Sequence, residues 1–233
     1  MSDLADFVSL LAEPGPWTFA YIDASRTGTD RAALETQLGR AKAPDADAAR
    51  LIEAFDAGQP MTEPAARYIL VRDGAVIVNA VLAGHRYHAD LVGHDSVPPV
   101  LPMLWHSRRL SSVALRRGAA SHSHIATGVT EVMEELQRGH VDALVLDIRL
   151  WKSEKTLEVL AAEPWVDDRE STEIVGYGPL PVAEALARAA LLSGARVLID
   201  EHPDQIARSA RAALPPQAVL RSHAERPMFA AAA

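Results

Sequence analysis

Gly139-His140-Val141-Asp142-Ala143-Leu144-Val145-Leu146-Asp147 decides how the second half of this chain folds. Ahead of it, Ile125, Val129, Val132, Met133 and Leu136 recur at helical spacing and predict one apolar helix face. Gly139 stands where a C-cap glycine belongs, because glycine enters the left-handed region without a Cβ penalty. Val141 to Leu146 then reads as a short strand buried on both faces, the pattern of a parallel strand covered by helices. Asp142 and Asp147 fall at the strand ends and need no chemistry to explain them.

Beyond this unit, Trp151 to Trp165 suits a strand over Thr156–Leu160 as well as a helix over Lys152–Ala162. Gly176-Tyr177-Gly178-Pro179 reads as a break, and Pro181 to Leu192 as a helix with proline in its first turn and Ser193-Gly194 at its end. Arg196–Asp200 reads as a second buried strand, Pro203–Leu214 as a helix stopped by Pro215-Pro216, and Gln217–Arg221 as a last strand. Short apolar strands alternating with helices predict an α/β/α sandwich over residues 125–225, with 226–233 as a tail.

The first half reads differently. Leu4, Phe7, Val8 and Leu11 mark a short amphipathic helix ended by Pro14-Gly15-Pro16. Trp17 to Ile22 is aromatic and β-branched, a strand pattern. Two helices follow, one marked by Leu34, Leu38 and Ala41, the other by Ala48, Leu51, Ile52 and Phe55. Arg67 to Leu82 forms the clearest hairpin, because Asp73-Gly74 supplies the two positive-φ positions of a type I′ turn. A strand around His88–Val92 and a proline-marked segment, Val97–Leu104, complete an α/β domain over residues 1–106 with a mostly antiparallel sheet.

Composition narrows the function classes. The chain has 233 residues, 48% of them hydrophobic, so a packed core is expected and wholesale disorder is not. It contains no cysteine, which excludes disulfides and thiolate metal sites. Asp3 and Asp6 stand where a signal peptide carries positive charge, and no apolar run approaches the ~20 residues that span a bilayer. The expectation is a soluble cytoplasmic protein with no membrane partner. A net charge of −8 argues against a surface wrapped by nucleic acid, and no DNA partner is expected. Against that acidic background residues 107–128 carry Arg108, Arg109, Arg116 and Arg117 and no acid. This basic connector, 107–124, is the candidate RNA or ribosome contact, because a local cluster of guanidinium groups attracts phosphate while acidic flanks stay clear. The alternative is a solvated segment that pairs with its acidic neighbours.

No catalytic set emerges, and no catalytic, cofactor or metal residue is nominated. Among 9 histidines, His85 and His88 are three apart, a spacing that would not share a strand face, and His122 and His124 flank one serine. No HExxH or CxxC accompanies them. Ser121-His122-Ser123-His124 lacks a GxSxG elbow. Gly176-Tyr177-Gly178 lacks the third glycine of a dinucleotide turn, and Pro179 removes an amide donor. Glu134-Glu135, Asp167-Asp168 and Asp200-Glu201 read as solvated acids.

Two regions carry a family resemblance. One is Leu11-Ala12-Glu13-Pro14-Gly15-Pro16 with the aromatic strand ending Tyr21-Ile22-Asp23, then the hairpin Leu70–Leu82 and Pro98-Pro99-Val100-Leu101-Pro102. The other is Gly139–Leu146, Pro179-Leu180-Pro181 opening an alanine-rich helix, Val197-Leu198-Ile199 and Ala218-Val219-Leu220-Arg221. Together they resemble the bacterial and archaeal relatives of the eukaryotic peptide chain release factor and Pelota. The actinobacterial branch, which includes the ribosome hibernation factor Balon, is the most similar. The match covers about two-thirds of the residues, at the level of pattern rather than signature.

Family members have three domains, and the central one bears a Gly-Gly-Gln loop that hydrolyses peptidyl-tRNA in the release factor. Only twenty residues separate Leu104 from Ile125, and this sequence contains no Gly-Gly-Gln. The resemblance therefore implies a first and a third domain without the middle one, and it does not imply hydrolase activity. It implies a non-enzymatic stress or hibernation-type factor, with the ribosome and elongation factor Tu as partners. Two alternatives stay open: a small-molecule or hydrolytic enzyme with its site between the two α/β halves, and a homodimeric binding module that uses the exposed sheet of the first half.

Overall fold

The computed structural model describes residues 4–13, 15–25, 30–86, 88–107, 125–168, 174–200 and 215–221. The fold class is α/β, and the chain divides into two compact units at Ser107/Arg108. Among the described residues no helix is long and apolar enough to cross a membrane. The helix expected over Pro203–Leu214 and the arginines 108, 109, 116 and 117 lie outside the described residues.

The first unit is built on four antiparallel strands in the order β3-β2-β1-β4, with β1 Trp17–Asp23, β2 Ala65–Arg72, β3 Ala75–Ala83 and β4 Leu91–Asp95. Helices α1 (Leu4–Leu11), α2 (Arg31–Arg40), α3 (Asp45–Asp56) and α4 (Leu101–His106) cover it. Alternation along the strands splits the core. Ala20, Ile22, Ile69 and Val71 meet Leu34, Leu38, Leu51 and Ile52 of α2 and α3. On the opposite face Tyr68 takes the edge of the Phe7 ring at 5.9 Å and donates to Pro99 O at 2.8 Å. Buried on both faces, β1 and β2 read as near-continuous apolar runs, whereas β3 at the sheet's end is mostly exposed.

The hairpin forms as expected. Asp73 and Gly74 have φ of 53° and 70°, the backbone of a type I′ turn. The last strand does not match the expectation. Residues 88–90 bend, and β4 starts at Leu91 rather than His88. The proline-marked segment ends in α4, with Pro102 in its first turn, where the missing N–H costs no bond.

The second unit holds two sheets. The larger, ordered β10-β6-β11-β5, comprises β5 Ile125–Thr127, β6 Val141–Asp147, β10 Arg196–Asp200 and β11 Gln217–Leu220. The smaller, ordered β8-β7-β9, comprises β7 Thr156–Leu160, β8 Val166–Asp167 and β9 Gly176–Pro181. Helix α5 (Val129–Gln137) precedes β6, and helix α6 (Val182–Leu192) packs against strands of both sheets. Eight α6 residues are buried, from Val182 to Ala190, which is why its sequence is alanine-rich around most of its circumference.

Several expectations need correction. Strand β6 is buried as expected, but only β10 runs parallel to it, and β11 pairs antiparallel on its other side. Ile125 is not on the helix: it belongs to β5 and is 43% exposed, and α5 begins at Val129. The 176–181 stretch is not a break but strand β9, which pairs with β7, and that pairing settles the ambiguity over 156–160 in favour of a strand. Glycine and proline are depleted in strands generally, so tertiary pairing overrides local preference there.

Candidate functional site

A polar depression in the first unit lies where β1 and β3 end and β2 begins. Asp23 closes β1, Ala65 opens β2, and Gly84, His85 and Arg86 follow β3. With Ser25, Glu63, His88 and Ala89 they line a cleft of about 540 Å³. His85 and His88 line the same cleft, so the strand-face argument does not apply: neither lies in a strand, and the chain bends at His88 and Ala89.

Arg86 and Asp23 in this cleft satisfy one another. Arg86 reaches Asp23 Oδ2 at 3.3 Å and forms a short ion pair with Asp90. Asp23 Oδ1 accepts from the Ser25 backbone N–H at 2.8 Å. Burial pushes the Asp23 carboxyl up, but the Ser25 hydrogen bonds and the Arg86 charge outweigh it and hold the group below its ordinary value. Helix α4 braces the same end of the sheet. Trp105 Nε1 donates to His85 O at 2.8 Å, and His106 Nδ1 lies 2.9 Å from Ala83 O. That second contact requires the proton on Nδ1, so His106 Nε2 accepts from Tyr21 Oη at 2.9 Å.

A smaller pocket of about 270 Å³ adjoins through Asp23 and Ser25 and is lined also by Phe55, Asp56, Gly58, Gln59 and Arg67. Arg67 is only 8% exposed. It donates to Phe55 O at 3.3 Å and Gln59 O at 3.5 Å, and no acidic side chain among the described residues forms an ion pair with it. Burial pushes its guanidinium below the ordinary value. Gly58 makes the space: a Cβ there would sit on the guanidinium.

One cluster combines the residue types of a hydrolase triad without its order. Thr18 Oγ1 donates to Asp47 Oδ2 at 3.0 Å and lies 2.9 Å from His94 Nδ1, while the Gly74 N–H donates to Asp47 Oδ1 at 2.6 Å. The hydroxyl sits between acid and histidine, so the histidine is not oriented by the acid toward a nucleophile. Thr18 is fully buried and Asp47 is 4% exposed. The cluster clamps α3, the hairpin turn and β4 onto β1. Sequence reading missed it because its members are 29 and 76 residues apart from Thr18.

No protein-family model and no curated protein matches this chain in sequence. Function therefore has to be argued from the residues themselves.

In the second unit several acids are engaged. Asp147 is 4% exposed and accepts from the Arg149 backbone and guanidinium, and Asp142 pairs with Arg196 at 2.5 Å. Glu135 is not the solvated acid expected: its side chain is 15% exposed and pairs with Arg138 and His140. Arg188, 1% exposed, donates to Leu160 O at 3.2 Å and lies between the rings of Trp165 and Tyr177. Burial pushes its pKa down to about 10, opposed by Tyr177. Gly176-Tyr177-Gly178 holds no phosphate loop; the Gly178 N–H donates to Glu158 Oε1 at 3.0 Å within the β7–β9 pair. Among the described residues no three His, Asp or Glu side chains gather as metal ligands.

Proposed function

We propose that this chain is a non-enzymatic, translation-associated stress factor, a shortened relative of the release-factor family that binds the ribosome without a Gly-Gly-Gln domain. The observation that carries the reading is the division of the chain. Two α/β units meet in sequence at Ser107/Arg108, where the one locally basic stretch of an acidic chain begins. A protein of this charge contacts RNA through a confined cluster, and Arg108, Arg109, Arg116 and Arg117 are that cluster. The two-ended sequence resemblance supports the same assignment and names elongation factor Tu as the second partner.

The polar groups of the first unit support a binding role over a catalytic one. Arg86, Asp23, His106 and His94 each serve another side chain or the backbone. The test is affinity capture of the tagged protein from stationary-phase cells at low and at high salt. Ribosomal proteins and elongation factor Tu captured at low salt and lost at high salt agree with the reading. A low-salt capture free of ribosomal proteins contradicts it.

A further inference from the structure

Arg67 is a cation where the fold asks for an apolar side chain. Alternation along β2 puts it on the face of Ile69 and Val71, which belong to the core beneath α2 and α3. It is buried, and no acid among the described residues forms an ion pair with it. Its Nε–H is also buried, with no acceptor among the described residues. Asp23 and Asp56 line the pocket of about 270 Å³ beside it, but each is held by another arginine, Asp23 by Arg86 and Asp56 by Arg31. A desolvated charge without a counter-ion is costly, so something has to offset it.

Closing helix α3 does not account for the cost. The two acceptors of Arg67, Phe55 O at 3.3 Å and Gln59 O at 3.5 Å, lie beyond the usual range of about 2.7–3.2 Å. Phe55 O already accepts from the Gly58 N–H at 3.0 Å, so that end of the helix is served without the guanidinium. Gly58 is not at positive φ, and its backbone does not call for glycine. The guanidinium does: a Cβ at Gly58 would lie 1.1 Å from Arg67 Nη1. The turn leaves room for the charge rather than pairing with it.

We propose that this pocket binds a small monocarboxylate, with its oxygens on the Arg67 guanidinium and its short hydrocarbon part against Ile22, Phe55 and Pro60. A guanidinium carries five N–H donors, and Arg67 spends two of them on the backbone carbonyls. A carboxylate supplies the missing counter-ion through charge-assisted hydrogen bonds. The pocket is smaller than the roughly 300–1,000 Å³ that takes drug-sized ligands, which leaves room for a few heavy atoms and not for a nucleotide. Asp23 and Asp56 in its wall repel a phosphate dianion more than a singly charged carboxylate. A plain carboxylic acid and an α-amino acid share this chemistry, and Asp56, which lines the same pocket, is the acid nearest in sequence to Gly58 that an ammonium group could use. The inference stands whether or not the chain binds ribosomes.

The test is calorimetric titration of the full chain with sodium propionate, alanine and sodium phosphate, at an ionic strength fixed with sodium chloride. Saturable heat is expected with propionate or alanine and not with phosphate; a response to alanine alone adds the ammonium group to what the pocket reads. Arg67→Met, checked for fold by circular dichroism, is expected to bind at least about tenfold more weakly. In the wild type, amide shifts induced by the bound carboxylate are expected to centre on Gly58, Gln59 and Arg67, a readout that needs no variant. The proposal is overturned by no saturable binding of either carboxylate, by phosphate binding as tightly, by undiminished affinity in Arg67→Met, or by shifts confined to other parts of the chain.

Discussion

His140 is tied to Glu135 twice. Its backbone N–H donates to Glu135 O at 3.0 Å, and its ring Nδ1 lies 2.9 Å from Glu135 Oε2. Gly139 between them has φ of 68°, and its N–H donates to Leu136 O at 2.9 Å. This is a Schellman turn, in which a hydrogen-bonding contact between His140 and Glu135 stands where an apolar one is usual. Arg138 adds a second contact to the same carboxylate at 2.5 Å. The His140 carbonyl also accepts from the Arg221 N–H at 2.8 Å, so the turn that ends α5 positions both β6 and the end of β11.

The pair sets an acid limit. Burial raises the Glu135 pKa, but the hydrogen bonds from His140 and Arg138 prevail and hold it below its ordinary 4.5. A carboxyl depressed in the folded state contributes its stability in full above the unfolded value and loses it as pH falls through the folded one. Glu135→Gln is expected to cost about 1 kcal/mol at pH 7. Urea melts at successive pH values should show the gap between wild type and Glu135→Gln closing below pH 4.5. A gap that stays constant into that range would show that the ion pair is not its source.

Gly139→Ala should separate backbone from side-chain effects at the same turn. Nothing lies within 4 Å of a Cβ built there, so the cost is conformational alone. It is expected at about 1–2 kcal/mol, and Gly139→Asn should recover part of it, because asparagine tolerates the left-handed region. Thermal melts of the two variants give the comparison.

Asp47 is expected to be the most sensitive polar residue of the first unit. Asp47→Ala removes the acceptor of the half-buried Gly74 N–H and one of the two partners of the buried Thr18 hydroxyl, which keeps only its contact with His94. The expected loss is about 3 kcal/mol, against about 1 for Asp47→Asn, which keeps one acceptor oxygen. Denaturant titration followed by tryptophan fluorescence reads both, since Trp17 is fully buried on the neighbouring strand position.

At Arg67 the expected order of effects is reversed. A buried cation without a carboxylate partner gains little for its desolvation, so Arg67→Met should change stability by less than about 1 kcal/mol. Gly58→Ala displaces the guanidinium and should cost about 2 kcal/mol. Combining the two should relieve part of that cost, because the clashing atoms are gone. A double variant no better than Gly58→Ala alone would place the strain elsewhere.

What sequence made legible was local. Asp73-Gly74 announced its hairpin, Gly139 its helix end, and Leu34, Leu38, Leu51 and Ile52 their faces, because each signal sits within a turn or two of its consequence. Strand β9 was hidden because its two glycines and two prolines argue against a strand until β7 pairs with it. Ile125 fell into the helical period by coincidence of spacing, although β11 recruits it to a sheet. The Thr18–Asp47–His94 clamp and the Asp23–Arg86 pair join residues distant in sequence, and no pattern within one element foretells them.

The most direct test of the central claim is co-sedimentation with ribosomes from stationary-phase cells across a salt series. Four guanidinium–phosphate contacts predict that affinity falls about 50- to 150-fold between about 50 mM and about 200 mM salt. The Arg108/Arg109/Arg116/Arg117→Ala chain should stay in the ribosome-free fraction at low salt while keeping its fold. Wild-type protein absent from the ribosome pellet at low salt, or a quadruple variant that sediments as wild type does, would contradict the account.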